Sequence, residues 1–287
     1  MRYVSMFVFL SFVSIVSAMG LVAGELPAKA LKGKFVAASN RGGAWDIWTM
    51  NADGSGAKQL TDDAHADSDP RWSPGGERIL FTSLRKGIPY VYSMKPDGAD
   101  VTKVTEGCQA SWSPEGDAIV FIRDDQAYVR ELKSGKERLV TPPRWMRCGF
   151  PDWDPNGGRI AVASRHEGQV GIYLVPLEGG EPSKLPTRRE ACTPRWSPDG
   201  KAILFQTSSH VCRIDADGED EMQLTYGADV QHYSAWSPDG KTIAFCRGPG
   251  PDGPWTLAAL RLEDEAGRTL TDKHSTMYPD WTGKNKD

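Results

Sequence analysis

Side chains that could bind a metal recur at one offset from a series of spaced tryptophans. Four residues before the tryptophan, or five in one case, the chain carries cysteine, histidine or methionine: Cys108, Cys148, Cys192, His232 and Met277. Thiolate, thioether and imidazole groups suit copper or zinc. If these segments converge, they form a metal site; otherwise we expect no cofactor. The alternatives are that the side chains fill gaps between sheets, or that Cys108 and Cys148 form a disulfide.

Two further offsets carry charged and aromatic side chains. The positions one and three residues before each tryptophan include Asp69, Arg71, Gln109, Asp152, Arg195, Tyr233, Tyr278 and Asp280. Tyrosine and arginine are enriched at the energetic centres of protein interfaces, although the solvated rim of any domain has a similar composition. We predict that seven of these residues bind a protein or peptide partner: Asp69, Arg71, Asp152, Arg195, Tyr233, Tyr278 and Asp280.

Catalytic motifs are not evident in the chain. The sequence has no Gly-x-Ser-x-Gly nucleophile elbow, which argues against a serine peptidase. The pair His166-Glu167 lacks the second histidine of a zinc-protease helix. We therefore expect a binding protein rather than an enzyme.

The tryptophans themselves reveal the elements that position these residues. Trp72 opens the phrase Trp-Ser-Pro-Gly-Gly, and close copies open at Trp112, Trp153, Trp196 and Trp236, at spacings of 40, 41, 43 and 40 residues. Proline presets φ at the first corner of a turn, and glycine accepts the positive φ that follows. A period of about 40 residues filled with short strands is typical of a β-propeller. We assign the tryptophans to packing between neighbouring sheets.

The first and last units are incomplete in complementary ways. Residues 35–40 match the strand that follows the phrase in other units, but no phrase precedes them. Tyr278-Pro279-Asp280-Trp281 resembles the start of a unit, 45 residues after Trp236. A strand at this position would complete the first blade and leave no open seam. The sequence predicts an all-β, six-bladed propeller over residues 35–287, with the first blade completed by the C-terminal strand.

The first 24 residues resemble an export signal. Arg2 is followed by an apolar run and then by small residues, the pattern of a secretory signal peptide. The run from Tyr3 to Ala23 has 21 residues, so an uncleaved N-terminal anchor is the alternative. We expect a signal peptide over 1–24, a short linker over 25–34, and a periplasmic or secreted protein. It contacts a membrane only if the signal is uncleaved.

Composition limits the class of partner. The 287 residues carry a formal net charge of −4 and no basic run that would track phosphates, so nucleic acid is not expected. The five cysteines include no Cys-x-x-Cys pair, and their odd number does not indicate a disulfide scaffold. We expect a monomer that binds an exported protein or peptide.

One copy of the repeat carries a family resemblance most clearly. Pro194-Arg195-Trp196-Ser197-Pro198-Asp199-Gly200, with the strand Ile203-Leu204-Phe205 and the closing pair Leu224-Thr225, resembles the repeat of TolB-like (WD40-like) propellers. The likeness runs from about Phe35 to Gly283. It implies a propeller-only relative, without the α/β domain that precedes the propeller of TolB.

These observations lead to one functional expectation and one alternative. Propeller rims present many loops on a rigid scaffold, so we expect a non-enzymatic binding module or scaffold. A protein or peptide partner would be held at one mouth of the central channel. The alternative is a propeller enzyme, or a carbohydrate- or metal-binding protein, with its site in the channel.

Overall fold

Six four-stranded antiparallel sheets form a ring in the computed structural model, which describes residues 24–166, 168–250, 253–271 and 274–283. The predicted class, an all-β propeller with six blades, is confirmed. A 3₁₀ turn, Ala28–Ala30, precedes the first blade. Within these ranges no helix is long and apolar enough to cross a membrane. The predicted signal peptide lies outside them except for Gly24.

Four strands make up each blade, and they are numbered in chain order. Blade 1 contains β1 (Lys34–Ser39), β2 (Asp46–Asn51), β3 (Lys58–Gln59) and β24 (Thr276–Thr282). Blade 2 contains β4 (Ala66–Trp72), β5 (Ile79–Arg85), β6 (Ile88–Met94) and β7 (Thr102–Glu106). Blade 3 contains β8 (Cys108–Trp112), β9 (Ala118–Arg123), β10 (Gln126–Glu131) and β11 (Glu137–Leu139).

The remaining three blades follow the same order. Blade 4 contains β12 (Met146–Trp153), β13 (Arg159–His166), β14 (Gln169–Pro176) and β15 (Ser183–Lys184). Blade 5 contains β16 (Cys192–Trp196), β17 (Ala202–Gln206), β18 (Val211–Asp215) and β19 (Met222–Gln223). Blade 6 contains β20 (Val230–Trp236), β21 (Thr242–Gly248), β22 (Thr256–Arg261) and β23 (Gly267–Thr269).

The ring is closed by a strand from the C-terminal end of the chain. β24 pairs with β1, and Phe35 stands opposite Trp281 in this pairing, as the sequence predicts. The six inner strands, β4, β8, β12, β16, β20 and β24, each contact the next inner strand around the ring. They therefore surround a central channel, to which every blade contributes one strand.

The tryptophan phrase forms the turn between the first and second strands of a blade. In blade 5 the Gly200 amide donates to the Ser197 carbonyl over 2.9 Å, and Gly200 has a φ of 69°. The Ser197 hydroxyl also accepts a hydrogen bond of 2.9 Å from the Ala202 amide. In blade 4 the serine is replaced by Asp154, whose Oδ2 accepts from the Arg159 guanidinium over 2.7 Å. The turn is thus retained with a different side chain.

The tryptophans pack in the seams between blades. Trp196 is buried in one apolar cluster with Ala161 and Leu174 of blade 4 and Phe205 of its own blade. Burying an aromatic side chain of this size removes about 150–250 Å² from water. Equivalent places in the other seams are taken by Trp72, Trp112, Trp153, Trp236 and Trp281.

The stretch 25–34, which the sequence marks only as a linker, packs against the ring. The Leu26 amide donates to the Gly267 carbonyl over 3.0 Å, and the Leu26 side chain is 1% exposed. Farther along, the Trp281 indole donates to the Lys32 carbonyl over 2.8 Å. This stretch therefore connects the outer strand of blade 6 with the closing strand of blade 1.

Two equally buried tryptophans allow the contribution of packing to stability to be distinguished from that of hydrogen bonding. Trp72 and Trp112 are each 9% exposed, but only the Trp112 indole has a partner among the described residues, the Arg71 carbonyl at 3.2 Å. We expect Trp72→Ala to lower the free energy of unfolding by about 3–5 kcal/mol. Trp112→Phe should cost about 1 kcal/mol more than Trp72→Phe. Urea unfolding measures both, and equal costs for the two phenylalanine variants would contradict the hydrogen-bond assignment.

Candidate binding site in the central channel

Every inner strand carries an extra residue three positions before its tryptophan, and β12 has a second register shift, at Arg147. In β4, Ser68 pairs with Thr82 and Arg71 with Leu80, so two residues stand opposite one. The same register shift occurs in the other five blades. A left-handed backbone, with φ between 48° and 54°, is found at Asp69, Gln109, Phe150, Thr193, Tyr233 and Tyr278. This conformation costs a non-glycine residue about 1–2 kcal/mol, and a bulge redirects side chains.

The six bulge residues line a cavity on the axis of the ring. Arg71 and Arg195 complete its lining. Its volume is about 20 Å³, which is room for about one water molecule. Because the bulges precede the tryptophans, the cavity lies toward the end at which the inner strands begin. We call that end, with hairpins such as 85–88, the hairpin face, and the opposite end, with the tryptophan phrases, the phrase face.

Two arginines and two aspartates form a charged ring one residue before the tryptophans. Arg71 Nη1 lies 3.3 Å from Asp152 Oδ1 and 3.6 Å from Asp280 Oδ1. Arg195 Nη1 lies 3.7 and 3.8 Å from the same two oxygens. The arginines belong to blades 2 and 5 and the aspartates to blades 1 and 4, so charges of opposite sign alternate around the axis. The charged ring has no net formal charge and narrows the channel on the phrase-face side of the cavity.

Each aspartate of the charged ring also joins two blades. Asp152 Oδ2 accepts from the Trp196 amide of the next blade, and Asp280 Oδ2 accepts from the Trp72 amide, each over 2.8 Å. Hydrogen bonds from backbone amides fix the carboxylates in place. The charged ring is therefore part of the frame as well as of the channel wall.

Burial opposes the charges of these carboxyl groups. It raises the pKa of Asp152 to about 6, while Arg71 acts to lower it. Burial also raises the pKa of Asp280. The pKa of Asp69, in the bulge layer, is raised by burial to about 6, while a hydrogen bond from Ser68 and the charge of Arg71 act to lower it. Asp69 and Asp152 therefore titrate near pH 6 instead of near 4.

Aromatic side chains make up much of the cavity wall. Tyr233 lies between Phe150 and Tyr278, at ring-centroid distances of 5.9 and 4.2 Å, and the two tyrosine hydroxyls are 3.4 Å apart. Gln109 Oε1 accepts from the Phe150 amide over 2.9 Å. The Thr193 hydroxyl is buried in the same lining. The cavity thus offers aromatic surface, one carboxyl group, two guanidinium groups and one hydroxyl.

The seven residues predicted to bind a partner all come together in the channel. Asp69, Arg71, Arg195, Tyr233 and Tyr278 line the cavity, and Asp152 and Asp280 complete the charged ring. They form the interior of the channel rather than an open rim, since the Arg71 and Asp152 side chains are each 12% exposed. Their role in binding stays a prediction.

Three cavity residues were not among the seven predicted to bind a partner. Gln109, Phe150 and Thr193 line the cavity through the same bulge that places Asp69 and Tyr233 there. All three stand three residues before a tryptophan, so the offset alone identifies them. Selecting charged and tyrosine side chains at that offset excludes them.

The five predicted metal ligands are not brought together around the channel. Cys108 and Cys148 pack in the apolar seam between blades 3 and 4, and His232 stacks on Trp255 with ring centroids 5.1 Å apart. Cys192 lies with its Sγ 3.7 Å from the Gln206 carbonyl oxygen, and Met277 is half-buried. In each strand the bulge lies between the predicted metal ligand and the tryptophan. The bulge residues line the cavity on the axis, and the predicted metal ligands do not.

Burial raises the pKa of the Cys108 thiol to about 11 and also raises that of Cys192, so both thiols are protonated at neutral pH. Among the described residues, no three His, Cys, Asp or Glu side chains are placed to hold a metal. All five cysteines are described and are free thiols, so the alternative disulfide between Cys108 and Cys148 is not formed.

Comparison with known proteins identifies the family of this channel. A family model described as the TolB beta propeller domain matches residues 27–142 and 123–286. The chain belongs to the TolB β-propeller domain family. Among solved structures, TolB from Acinetobacter baumannii superposes with a TM-score of 0.76 at 17% identity, over 87% of this chain and 66% of that protein. This likeness concerns the propeller fold.

Curated relatives of this TolB-type propeller match about half of it. An uncharacterized protein of Agrobacterium fabrum is 26% identical over 56% of this chain and 46% of its own length. The uncharacterized peptidase YuxL of Bacillus subtilis is 24% identical over 57% of this chain and 25% of its own length. The chain thus spans less than half of these relatives.

The raised pKa of Asp152 makes a signed prediction for stability. The pKa of Asp152 is about 6 in the folded propeller, above the 3.8 of an unperturbed aspartate. Protonation of Asp152 therefore stabilises the folded state. This stabilisation is fully present below pH 3.8 and is lost as the pH rises through about 6. Relative to Asp152→Asn, the unmodified propeller should gain about 1 kcal/mol between pH 7.5 and pH 5. Chemical denaturation at both pH values measures this. A relative loss at pH 5 would show that ion pairing with the arginines outweighs burial.

Proposed function

We propose that this chain is an exported, non-enzymatic binding module that holds a protein or peptide partner on the hairpin face, over the channel cavity. The convergence of six left-handed bulge residues on one cavity carries the proposal. Backbone strain of this kind clusters at ligand sites, where the surrounding structure maintains it. Family membership supports the scaffold, whereas the ligand must be argued from the site.

Exposed apolar side chains favour the hairpin face as the docking surface. Five of the seven large apolar side chains exposed among the described residues lie there: Leu84, Ile88, Leu139, Met146 and Tyr226. Tyr226 and Met146 are the most exposed, at 62% and 61%. The other two, Val101 and Met222, lie toward the phrase face, at connections between third and fourth strands. The hairpin face therefore carries the larger share of the exposed apolar side chains among the described residues.

A peptidase is the second candidate function. One relative is named an uncharacterized peptidase, of which this chain spans 25%. Asp69 and Asp152, with pKa values raised to about 6, are the groups suited to acid–base work near neutral pH. Turnover of a peptide library by the purified chain would favour this candidate. Retained metal or a co-purified sugar would favour a ligand-binding alternative.

Capture of the partner from the exported fraction tests the proposal. Cross-linking pull-downs with the exported protein should recover a stoichiometric protein or peptide, and Tyr226→Ser combined with Ile88→Ser should reduce recovery about tenfold or more. These variants remove exposed apolar contacts and should leave the melting temperature unchanged.

Val101→Ser is the matched control for this experiment, because it removes an exposed apolar side chain toward the phrase face. It should leave capture intact. Equal losses for Val101→Ser and for the hairpin-face double variant would contradict the proposed docking surface. Absence of any captured protein, with turnover or a bound small ligand instead, would replace the proposal by one of its rivals.

A further inference from the structure

The channel has two layers that differ in charge. In the charged ring, two arginines face two aspartates, and the formal charges cancel. In the bulge layer, Asp69 is the one charged residue of the six. Asp69 Oδ2 accepts a hydrogen bond of 2.8 Å from the Ser68 hydroxyl. Asp69 and the four residues of the charged ring together carry a formal charge of −1 when all five are ionised.

The groups around the Asp69 layer suit a cation. Phe150, Tyr233 and Tyr278 line the same cavity, and the faces of aromatic rings attract positive charge. The Thr193 hydroxyl is 6% exposed and lines the same cavity, and a hydroxyl oxygen can accept a hydrogen bond. A carboxylate, aromatic faces and a hydroxyl oxygen together form the kind of environment that binds an ammonium ion.

The geometry points to the bulge-layer cavity as a receptor for a single ammonium group, a lysine side chain or the amino terminus of the partner. This inference rests on the proposed function, since the group belongs to the protein or peptide held at the hairpin face. The cavity of about 20 Å³ holds about one water molecule, and an ammonium head is close to water in size. A planar guanidinium is larger, and we expect it to bind more weakly in this small cavity.

An anionic group is disfavoured by the same arrangement. Arg71 and Arg195 line the cavity, and each lies within 4 Å of two carboxylates, although Arg195 Nη1 makes no hydrogen bond within the described ranges. A carboxylate of the ligand would lie beside Asp69 in the cavity and would bring a second negative charge close to it. Like charges at short range in a buried site are strongly unfavourable. Asp69 therefore disfavours a second negative charge beside it in the bulge layer.

Titration with n-butylammonium chloride tests the inference without knowledge of the partner. The protein purified from the exported fraction is titrated at pH 7.5 and constant ionic strength, with binding followed by calorimetry and by saturation-transfer NMR. We expect saturable binding of n-butylammonium. Sodium n-butyrate and guanidinium chloride, as probes of opposite charge and larger head, should bind at least roughly tenfold more weakly.

Matched variants locate the site. Asp69→Asn keeps the size of the side chain and a residue type that tolerates left-handed backbone, and it should weaken binding roughly tenfold or more. Phe150→Leu should weaken it about threefold or more. Asp124→Asn removes an exposed carboxylate from a hairpin on the same face, also at positive φ, and should leave the affinity unchanged.

The pH dependence gives a second readout if Asp69→Asn does not fold. Burial raises the pKa of Asp69 to about 6, so butylammonium binding should weaken between pH 7.5 and pH 5. The titratable and charged groups that face Asp69 are Arg71 on its own strand, Cys108, Tyr233 and Tyr278. Burial raises the pKa values of that thiol and both phenols, so these groups stay neutral over this range.

The outcomes separate this inference from the proposed function. No saturable binding of butylammonium, equal affinity in Asp69→Asn, or tighter binding of butyrate or guanidinium would overturn the ammonium receptor. If a partner is still captured in that case, the binding module stands. If butylammonium binds as expected but no partner is captured, the receptor stands and the proposed function fails.

Discussion

An extra residue in each of six inner strands is the constraint on which the channel depends. Without the bulge, strand pairing would continue in register and the chain would not need the left-handed conformation found three residues before each tryptophan. Six such conformations cost about 1–2 kcal/mol each. They persist because the tryptophan seams and the pairing of β24 with β1 hold the ring closed. The frame thus maintains a strained lining around the cavity.

The charged ring shows how the channel combines support with selectivity. Buried ion pairs seldom add net stability, since removal of the charges from water costs about as much as their attraction returns. Here Asp152 and Asp280 also hold amides of neighbouring blades, which fixes their positions. The charged ring closes one side of the cavity with formal charges that cancel, and Asp69 is the one charged residue of the bulge layer on the other side.

The sequence predicts the fold well because the repeat consists of residues, such as proline and glycine, that strongly prefer particular turn conformations. The phrase led by tryptophan marks five blades, and the incomplete ends predict that Trp281 closes the first. The direction of the side chains could not be predicted, because no residue type in the sequence marks the position of a bulge. Cys108 and His232 each stand one residue before the bulge residue of their strand, and their side chains pack among the blades. Phe150 and Thr193 are themselves bulge residues, and they line the cavity on the axis. Offsets predict which residues are equivalent, and only the register shows where they point.

The central claim is that binding occurs on the hairpin face over the bulge-lined cavity. Hydrogen exchange, compared between the free protein and its complex with the captured partner, tests this most directly. We expect slower exchange in the first halves of the inner strands and in hairpins such as 85–88, with unchanged exchange in the tryptophan-phrase turns. Slower exchange confined to the phrase turns, with the hairpin face unaffected, would contradict it.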